Sequence, residues 1–310
     1  MSSRHDGWQN PRVERSERVA LSIQDQWAQW LLHRRHGGDV QAKQAMLTAL
    51  YRIRDQVLAH AQVTAGDVML DVGAGDGLIA FGALPLVGEQ GKVILSDISL
   101  DLLEHDRSLA QQLGVQDRCE FLQAPADDLS ALADASVDVV TTRSVLIFVS
   151  AKQQALREFH RVLKPGGRLS IFEPINRFTY PEPAHLFDGY DVTPAQPLAD
   201  KLRRVFERLQ PPDTDPMLDF DERDLLRWME QAGFAEVRLE LQVEITPLAP
   251  ATWEVWINQS GNPKIPTQQE AMRQALTSNE VEEFTAHLRP LVEQGKGIRR
   301  SALAYLWATR

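Results

Sequence analysis

Val68-Met-Leu-Asp-Val-Gly-Ala-Gly-Asp-Gly77 reads as a buried strand that runs into a glycine-rich turn. The almost unbroken apolar run suits a strand covered on both faces. Gly73, Gly75 and Gly77 let the backbone turn tightly and approach a ligand without obstruction from Cβ atoms. From Leu78 the chain reads as the start of a helix, whose free N–H groups would face the same ligand. A second apolar strand, Lys92-Val-Ile-Leu-Ser-Asp97, ends in a carboxylate about twenty positions beyond the glycines. There it can accept hydrogen bonds from both ribose hydroxyls of an adenosine-containing ligand. This much fits either a dinucleotide-dependent dehydrogenase or an enzyme that uses S-adenosylmethionine (SAM).

The elements downstream separate the two. Ala126-Asp-Asp-Leu129, Ser136-Val-Asp-Val-Val-Thr-Thr-Arg143 and Glu158-Phe-His-Arg-Val-Leu-Lys-Pro-Gly-Gly-Arg-Leu-Ser-Ile-Phe172 follow in order. With these motifs the chain resembles the class I SAM-dependent methyltransferases, in particular their small-molecule branch. The resemblance is specific over residues 45 to 175 and looser to 245. It implies an α/β fold: a Rossmann-like, seven-stranded, mostly parallel sheet with helices on both faces, its last strand antiparallel. It also implies SAM as cofactor. Asp71 and the loop of Gly73, Ala74, Gly75, Asp76 and Gly77 would hold the methionine and ribose. Asp97 would take the ribose hydroxyls, Ile98 would pack on adenine, and Ala126 with Asp127 would meet the adenine edge. Arg143 and Ser144 would stand near the methionyl tail. One departure is Ala124-Pro125-Ala126, where the family often has Gly-Asp-Ala. Pro125 removes a carboxylate and a backbone donor, so adenine recognition must lean on Asp127, Asp128 or the Ala126 backbone. The alternatives are an NAD-dependent oxidoreductase, and a SAM-binding scaffold or sensor without turnover.

Bulk properties narrow the class further. A chain of 310 residues can bury a substantial core, and one large domain, or one domain with a cap, is expected rather than two equal ones. A formal charge of −10 argues against nucleic acid as partner. Arg34-Arg35 and Arg203-Arg204 read as solvated charges on helix faces. The single cysteine, Cys119, excludes a disulfide framework and reads as an inert buried thiol. His33 and His36 lack the further ligands that a metal needs, so no metal is expected. No apolar run has transmembrane length and the first ten residues are polar, so no membrane association and a cytoplasmic location are expected. The partner expected is a small methyl acceptor, and the protein itself a monomer or a homodimer.

Along the chain, Val19, Ile23, Trp27, Trp30 and Leu31 recur at helical spacing, and Gly37-Gly38 would end that helix. Residues 1–42 are read as an N-terminal helical segment that either packs or serves as a lid. Residues 43–175 are the SAM-binding core. Ser99 is expected to cap the helix from Leu100, and Ser150-Ala-Lys-Gln153 to form a capping box for the helix that ends at Leu163. Pro174 to Pro216 holds eight of the seventeen prolines, with Phe178, Tyr180, Phe187 and Tyr190 interleaved. Such a stretch is neither one helix nor a central strand, and residues 176–218 are read as a substrate cap. Residues 219–310 return to the core. Capping boxes at Thr267-Gln-Gln-Glu270 and Thr277-Ser-Asn-Glu280 mark a helical insertion at about 250–297.

Two residues are candidates for a catalytic base. Glu173 ends the fifth strand, on the rim where open α/β sheets bind ligands, and His185 lies in the proline-rich cap. An intrinsically nucleophilic acceptor would need neither. The end of the fourth strand, Thr141-Thr-Arg-Ser144, lacks the Asn/Asp-Pro-Pro-Tyr of nucleic-acid amino methyltransferases, and one cysteine is too few for an arsenite methyltransferase.

Overall fold

The computed structural model describes residues 25–35 and 40–310. The first 24 residues, with Val19 and Ile23, and residues 36–39, with His36 and the Gly37-Gly38 stop, lie outside the described residues.

The core is a seven-stranded sheet. Its strands are β1 (Val68–Val72), β2 (Lys92–Asp97), β3 (Cys119–Gln123), β4 (Val137–Arg143), β5 (Leu163–Pro174), β8 (Ala235–Pro247) and β9 (Ile298–Thr309). A separate hairpin comprises β6 (Leu186–Phe187) and β7 (Tyr190–Asp191). The sheet order is β3-β2-β1-β4-β5-β9-β8. Strands β1 to β5 pair in parallel, and β9 enters antiparallel between β5 and β8. This is the sheet expected from the motifs. The order reverses between β1 and β4, which opens a crevice at the carboxyl ends of the strands.

The helices are α1 (Gln26–Gln29), α2 (Val40–His60), α3 (Leu78–Val87), α4 (Leu100–Gln112), α5 (Lys152–Val162), α6 (Gln196–Leu209), α7 (Glu222–Ala232), α8 (Trp253–Asn258), α9 (Gln268–Ala275) and α10 (Ser278–Glu293). α1 widens into a π-helical turn over Trp30–Arg34. One sheet face is covered by α5 and α7, with Phe159, Leu225 and Met229 in that core. The other is covered by α2 and α3, through Val57, Ala80 and Val87. A third core unites the hairpin, α6, α8, α9 and α10 through Phe187, Leu202, Trp256 and Phe284. The proline-rich stretch and the later helical insertion, separate in the sequence, therefore pack into one cap.

Capping agrees with the sequence at three of its four sites. Ser99 caps α4, and both Thr267–Glu270 and Thr277–Glu280 form reciprocal boxes. The box at Ser150 does not form: α5 starts only at Lys152, and its cap residue, Ala151, offers no side-chain bond. The buried Lys152 fixes that start by donating from Nζ to the Val149 carbonyl (2.9 Å) and to Asp219 (2.6 Å). The Lys164–Gly167 segment is a bulge, since Val137 pairs with Leu163 and Val139 with Arg168. Cys119 is buried, and burial pushes its thiol up to about 11, as an inert residue requires.

Asp71 fixes the start of α3. Gly77, at φ +72°, occupies the cap position of that helix and has no side chain to offer. Asp71 substitutes from β1: its Oδ2 accepts the Ala80 N–H (3.1 Å) and its Oδ1 the Thr141 hydroxyl (2.8 Å). Beneath the same loop, Asp106 of α4 is fully buried, with no hydrogen-bond partner for either oxygen among the described residues. Burial, reinforced by Asp76, pushes Asp106 up to about 9. The folded chain thus keeps a proton that the unfolded chain releases near pH 4, so stability falls as pH rises from about 4 towards 9. Asp106→Asn keeps the shape and cannot ionise. Its stability advantage over the parent is expected to grow by ~2–4 kcal/mol between pH 5 and pH 8.5 in denaturant unfolding. Parallel pH profiles for the two proteins would refute this.

A candidate cofactor and acceptor cavity

A cavity of about 1110 Å³ lies over the strand ends, between the sheet and the cap. Sites for one small ligand span roughly 300–1,000 Å³, so this one has room for two molecules. The structure brings Gly73, Gly75, Asp97, Ile98, Ala126 and Asp127 together along one end of it, and Arg143 and Ser144 join the same wall. Asp71, Ala74, Asp76 and Gly77 do not line it. They build the loop from behind: Asp71 caps α3, and the Ala74 N–H donates to Ser96 O (2.9 Å).

Asp97 is fixed by its neighbours. Its Oδ2 accepts the Gly75 N–H (3.0 Å) and its Oδ1 the Ser99 N–H (2.9 Å), with 8% of the residue exposed. Burial raises its pKa, opposed by those two N–H groups. Beside it Ile98 is 47% exposed, an apolar surface presented to the cavity. Asp128 is spent on a turn, accepting the Ser130 N–H (3.1 Å), so of the two aspartates only Asp127 faces the cavity. Pro125 lines the wall between them and β3.

Glu173 stands elsewhere than the sequence suggests. It is fully buried and absent from the cavity lining. Its Oε1 accepts the N–H groups of Val145 (2.9 Å) and Leu146 (2.8 Å), and its Oε2 that of Ile147 (3.3 Å). Burial pushes it up to about 7, against the pull of these donors and of Lys152. The carboxylate therefore anchors the turn after β4, where Ser144 holds a left-handed φ of +55°. It has no open path to an acceptor. His185 is exposed on the outside of the cap and also absent from the lining. Neither expected base reaches the cavity.

The N-terminal segment that the sequence left as packing or lid stands in the wall, and Arg35, read as a solvated charge, turns into it. Trp27, Trp30, Leu31 and Arg35 close it from the N-terminal side. Trp30 Nε1 donates to Ser260 O (2.9 Å), Arg34 pairs with Glu270 (2.7 Å), and Trp27 meets Phe148 edge-on at 4.8 Å. Arg35 is pulled down to about 10 by burial and by Arg143, an unusual meeting of two guanidinium groups in one cavity. From the cap come Tyr180, Glu182, Phe187, Asp188, Glu207 and Trp256. The aromatics of the proline-rich stretch were a signal for Tyr180 and Phe187. Trp256 had none beyond its helical setting.

The fit to SAM is tested by the loop itself. A Cβ on Gly73 would lie 2.3 Å from Val145 Cγ2, and one on Gly75 3.1 Å from Leu31 Cδ2. Glycine is thus required at the first and keeps the loop backbone open at the second. A carboxylate, an exposed apolar residue and two guanidinium groups around that loop match the polar and apolar parts of SAM.

Comparison with known proteins agrees. The family described as "Methyltransferase domain" matches residues 63–233, and the chain belongs to that family. A protein of Hahella chejuensis named ubiquinone/menaquinone biosynthesis C-methyltransferase UbiE is 34% identical over 171 residues, 55% of this chain and 68% of its own. The protein of that name from Francisella tularensis subsp. novicida is 32% identical over 196 residues, 63% of this chain and 78% of its own. In fold, a solved protein of Bacillus halodurans C-125 superimposes with TM-score 0.51 at 19% identity, covering 83% of this chain and 97% of its own. The chain is a class I SAM-dependent methyltransferase, an enzyme. The NAD-dependent oxidoreductase and the scaffold without turnover are set aside.

Proposed function

We propose that the chain moves the methyl group of SAM to a small organic acceptor held between the sheet rim and the cap. The observation that carries this reading is Asp97, pinned by Gly75 and Ser99 at the edge of a cavity that continues beneath the cap. When bound, SAM supplies a methyl already activated on a sulfonium. Asp97 accepts hydrogen bonds from the ribose hydroxyls, and Ile98 packs against adenine. Asp127 and the Ala126 backbone receive the adenine edge. Arg143, with Arg35 beside it, takes the methionyl carboxylate, a use that accounts for two like charges in one wall. Ser144 carries the turn that aims Arg143.

The remaining work is positioning. Holding the acceptor in line with the reacting methyl lowers the barrier by roughly 7–11 kcal/mol, and an intrinsically nucleophilic acceptor needs no base from the protein. Residues 25–35 act as a lid over the cofactor end, supported by Leu31 against Gly75 and by the Trp30 bond to Ser260. Residues 176–218 and the insertion at about 250–297 form the acceptor chamber, supported by their shared core. The names of the relatives favour a small molecule as acceptor, and the net charge of −10 speaks against nucleic acid. Among the described residues no helix is long and apolar enough to cross a membrane. We read the enzyme as cytoplasmic.

Calorimetric titration with SAM, S-adenosylhomocysteine and NAD in parallel tests the reading. Binding of the first two and not the third is expected. Binding of NAD alone, or of none, would overturn it.

A further inference from the structure

The acceptor end of the cavity has its own electrostatic character. Glu182, Asp188, Asp200 and Glu207 line it, against Arg203 as the one cation there among the described residues. Arg203 is already committed. It pairs with Asp200 and donates to the carbonyls of Ala184 (2.9 Å) and Leu186. Glu182, Asp188 and Glu207 have no salt bridge among the described residues.

The hairpin presents Asp188 rigidly. Phe187-Asp188-Gly189-Tyr190 is the tight turn of β6 and β7, with left-handed φ of +51° at Asp188 and +82° at Gly189. Those values suit an Asp-Gly turn. Glu182 clamps the turn, its two oxygens each accepting one N–H, from Asp188 (2.9 Å) and Gly189 (2.9 Å). The indole of the buried Trp256 donates to Asp188 Oδ2 (2.6 Å), and no described residue bonds Oδ1. Among the described residues Glu207 accepts from the Tyr180 hydroxyl (3.3 Å) and from no other group. Around these carboxylates the rings of Tyr180, Phe187, Phe206 and Trp256 complete the wall. Phe187 and Phe206 lie 6.4 Å apart.

Glu182 and Asp188 repel one another, and Arg203, held by Asp200 and two carbonyls and lying over the Phe187 ring, offsets this only in part; the repulsion is relieved when a positive ligand enters. Burial, with Asp188 next, raises the pKa of Glu182, in keeping with that repulsion. A neutral ring gains nothing from such a wall, and an anionic acceptor is repelled by it. Aromatic faces beside carboxylates are what an organic ammonium group prefers.

We infer that the acceptor of this enzyme carries an ammonium group on an apolar body, received by Asp188 and Glu207 among the rings of the cap. This rests on the methyltransferase reading above. It defines the charge the acceptor must carry; the methyl goes to another atom of the acceptor, because a protonated ammonium nitrogen has no lone pair to receive it.

Three probes of one shape test it on the full chain loaded with S-adenosylhomocysteine: 2-phenylethylammonium, 2-phenylethanol and 3-phenylpropanoate, titrated at pH 7.5 in low salt. The ammonium probe is expected to bind at least tenfold tighter than the alcohol, with the carboxylate weakest. Asp188→Asn suits the same turn, and Glu207→Gln alters an exposed residue. Each is expected to reduce ammonium binding about fivefold without changing alcohol binding, and together to abolish the preference. Equal or tighter binding of the alcohol or the carboxylate, binding of none of the three, or a preference that survives in the double variant would overturn the inference. Failure of S-adenosylhomocysteine to bind the parent chain would instead overturn the cofactor reading.

Discussion

Asp97→Ala is expected to weaken SAM binding about 100-fold. A hydrogen bond to a charged group contributes ~1.5–3 kcal/mol. Two ribose hydroxyls on one carboxylate therefore correspond to about 3 kcal/mol or more, and each 1.4 kcal/mol is a factor of ten. The substitution also frees the Gly75 and Ser99 N–H groups that Asp97 now accepts, so the loop loosens and stability falls by ~1–3 kcal/mol. An assumption that Asp97 serves the ligand alone would miss this second effect. Asp97→Asn retains part of both functions and is expected to fall between the parent and the alanine variant. Because burial raises the pKa of Asp97, SAM affinity should decline on acidification earlier than for an ordinary carboxylate. Calorimetry from pH 5 to 8 measures both effects. Parental affinity in a folded Asp97→Ala protein would remove the residue from the cofactor site.

Glu173→Ala is expected to destabilise the protein by about 3–5 kcal/mol, with activity lost through the fold rather than the chemistry. The change strips the acceptor from three backbone N–H groups, those of Val145, Leu146 and Ile147. Each buried donor left unpaired costs ~1–3 kcal/mol. Glu173→Gln keeps one carbonyl oxygen for Val145 and Leu146 but turns an amide towards Ile147, so a smaller loss of about 1–2 kcal/mol is expected. The pH dependence has a definite sign. With a folded pKa of about 7 against an ordinary value near 4.5, the folded chain holds a proton more tightly than the unfolded one. The contribution of Glu173 to stability is then largest below pH 4.5 and diminishes as pH rises towards 7. Denaturant unfolding of both variants at pH 5 and 8 measures this. If Glu173→Ala were as stable as the parent and impaired only in turnover, Glu173 would return to the chemistry.

The motifs from Val68 to Phe172 carried the resemblance that implied the seven-stranded sheet and its antiparallel last strand. Local rules, the periodicity of apolar residues and the turn chemistry of glycine and proline, marked the single strands and helices. The same local rules found Ser99, Thr267 and Thr277 as caps, because a cap bonds within its own turn. They failed at Ser150, where Lys152 and Asp219 set the helix start across 67 positions.

Four of the residues that the resemblance named for the cofactor meet on one wall of the cavity. Gly73, Gly75, Asp97 and Ile98 sit at strand ends, and strand ends converge in any parallel sheet. Direction was not legible. Asp71 and Glu173 occupy comparable places at strand ends, yet both turn into the protein: Asp71 accepts an N–H of the helix that follows it, and Glu173 those of the turn after the neighbouring strand β4. Which lone pairs are occupied depends on the neighbouring backbone, not on residue type.

The acceptor end belonged to the tertiary structure almost entirely. The sequence marked two insertions by their prolines and capping boxes, but nothing local says that they share one core. Their meeting brings Trp256 to Asp188, across 68 positions, and so orients that carboxylate. The sequence determined a glycine-turned crevice at the ends of buried strands, because apolar period and glycine turns act over a few residues, and its resemblance to the class I methyltransferases assigned that crevice to SAM. Only the tertiary structure decided what stands opposite that crevice, because long-range packing sets which charges face each other and which remain without a partner.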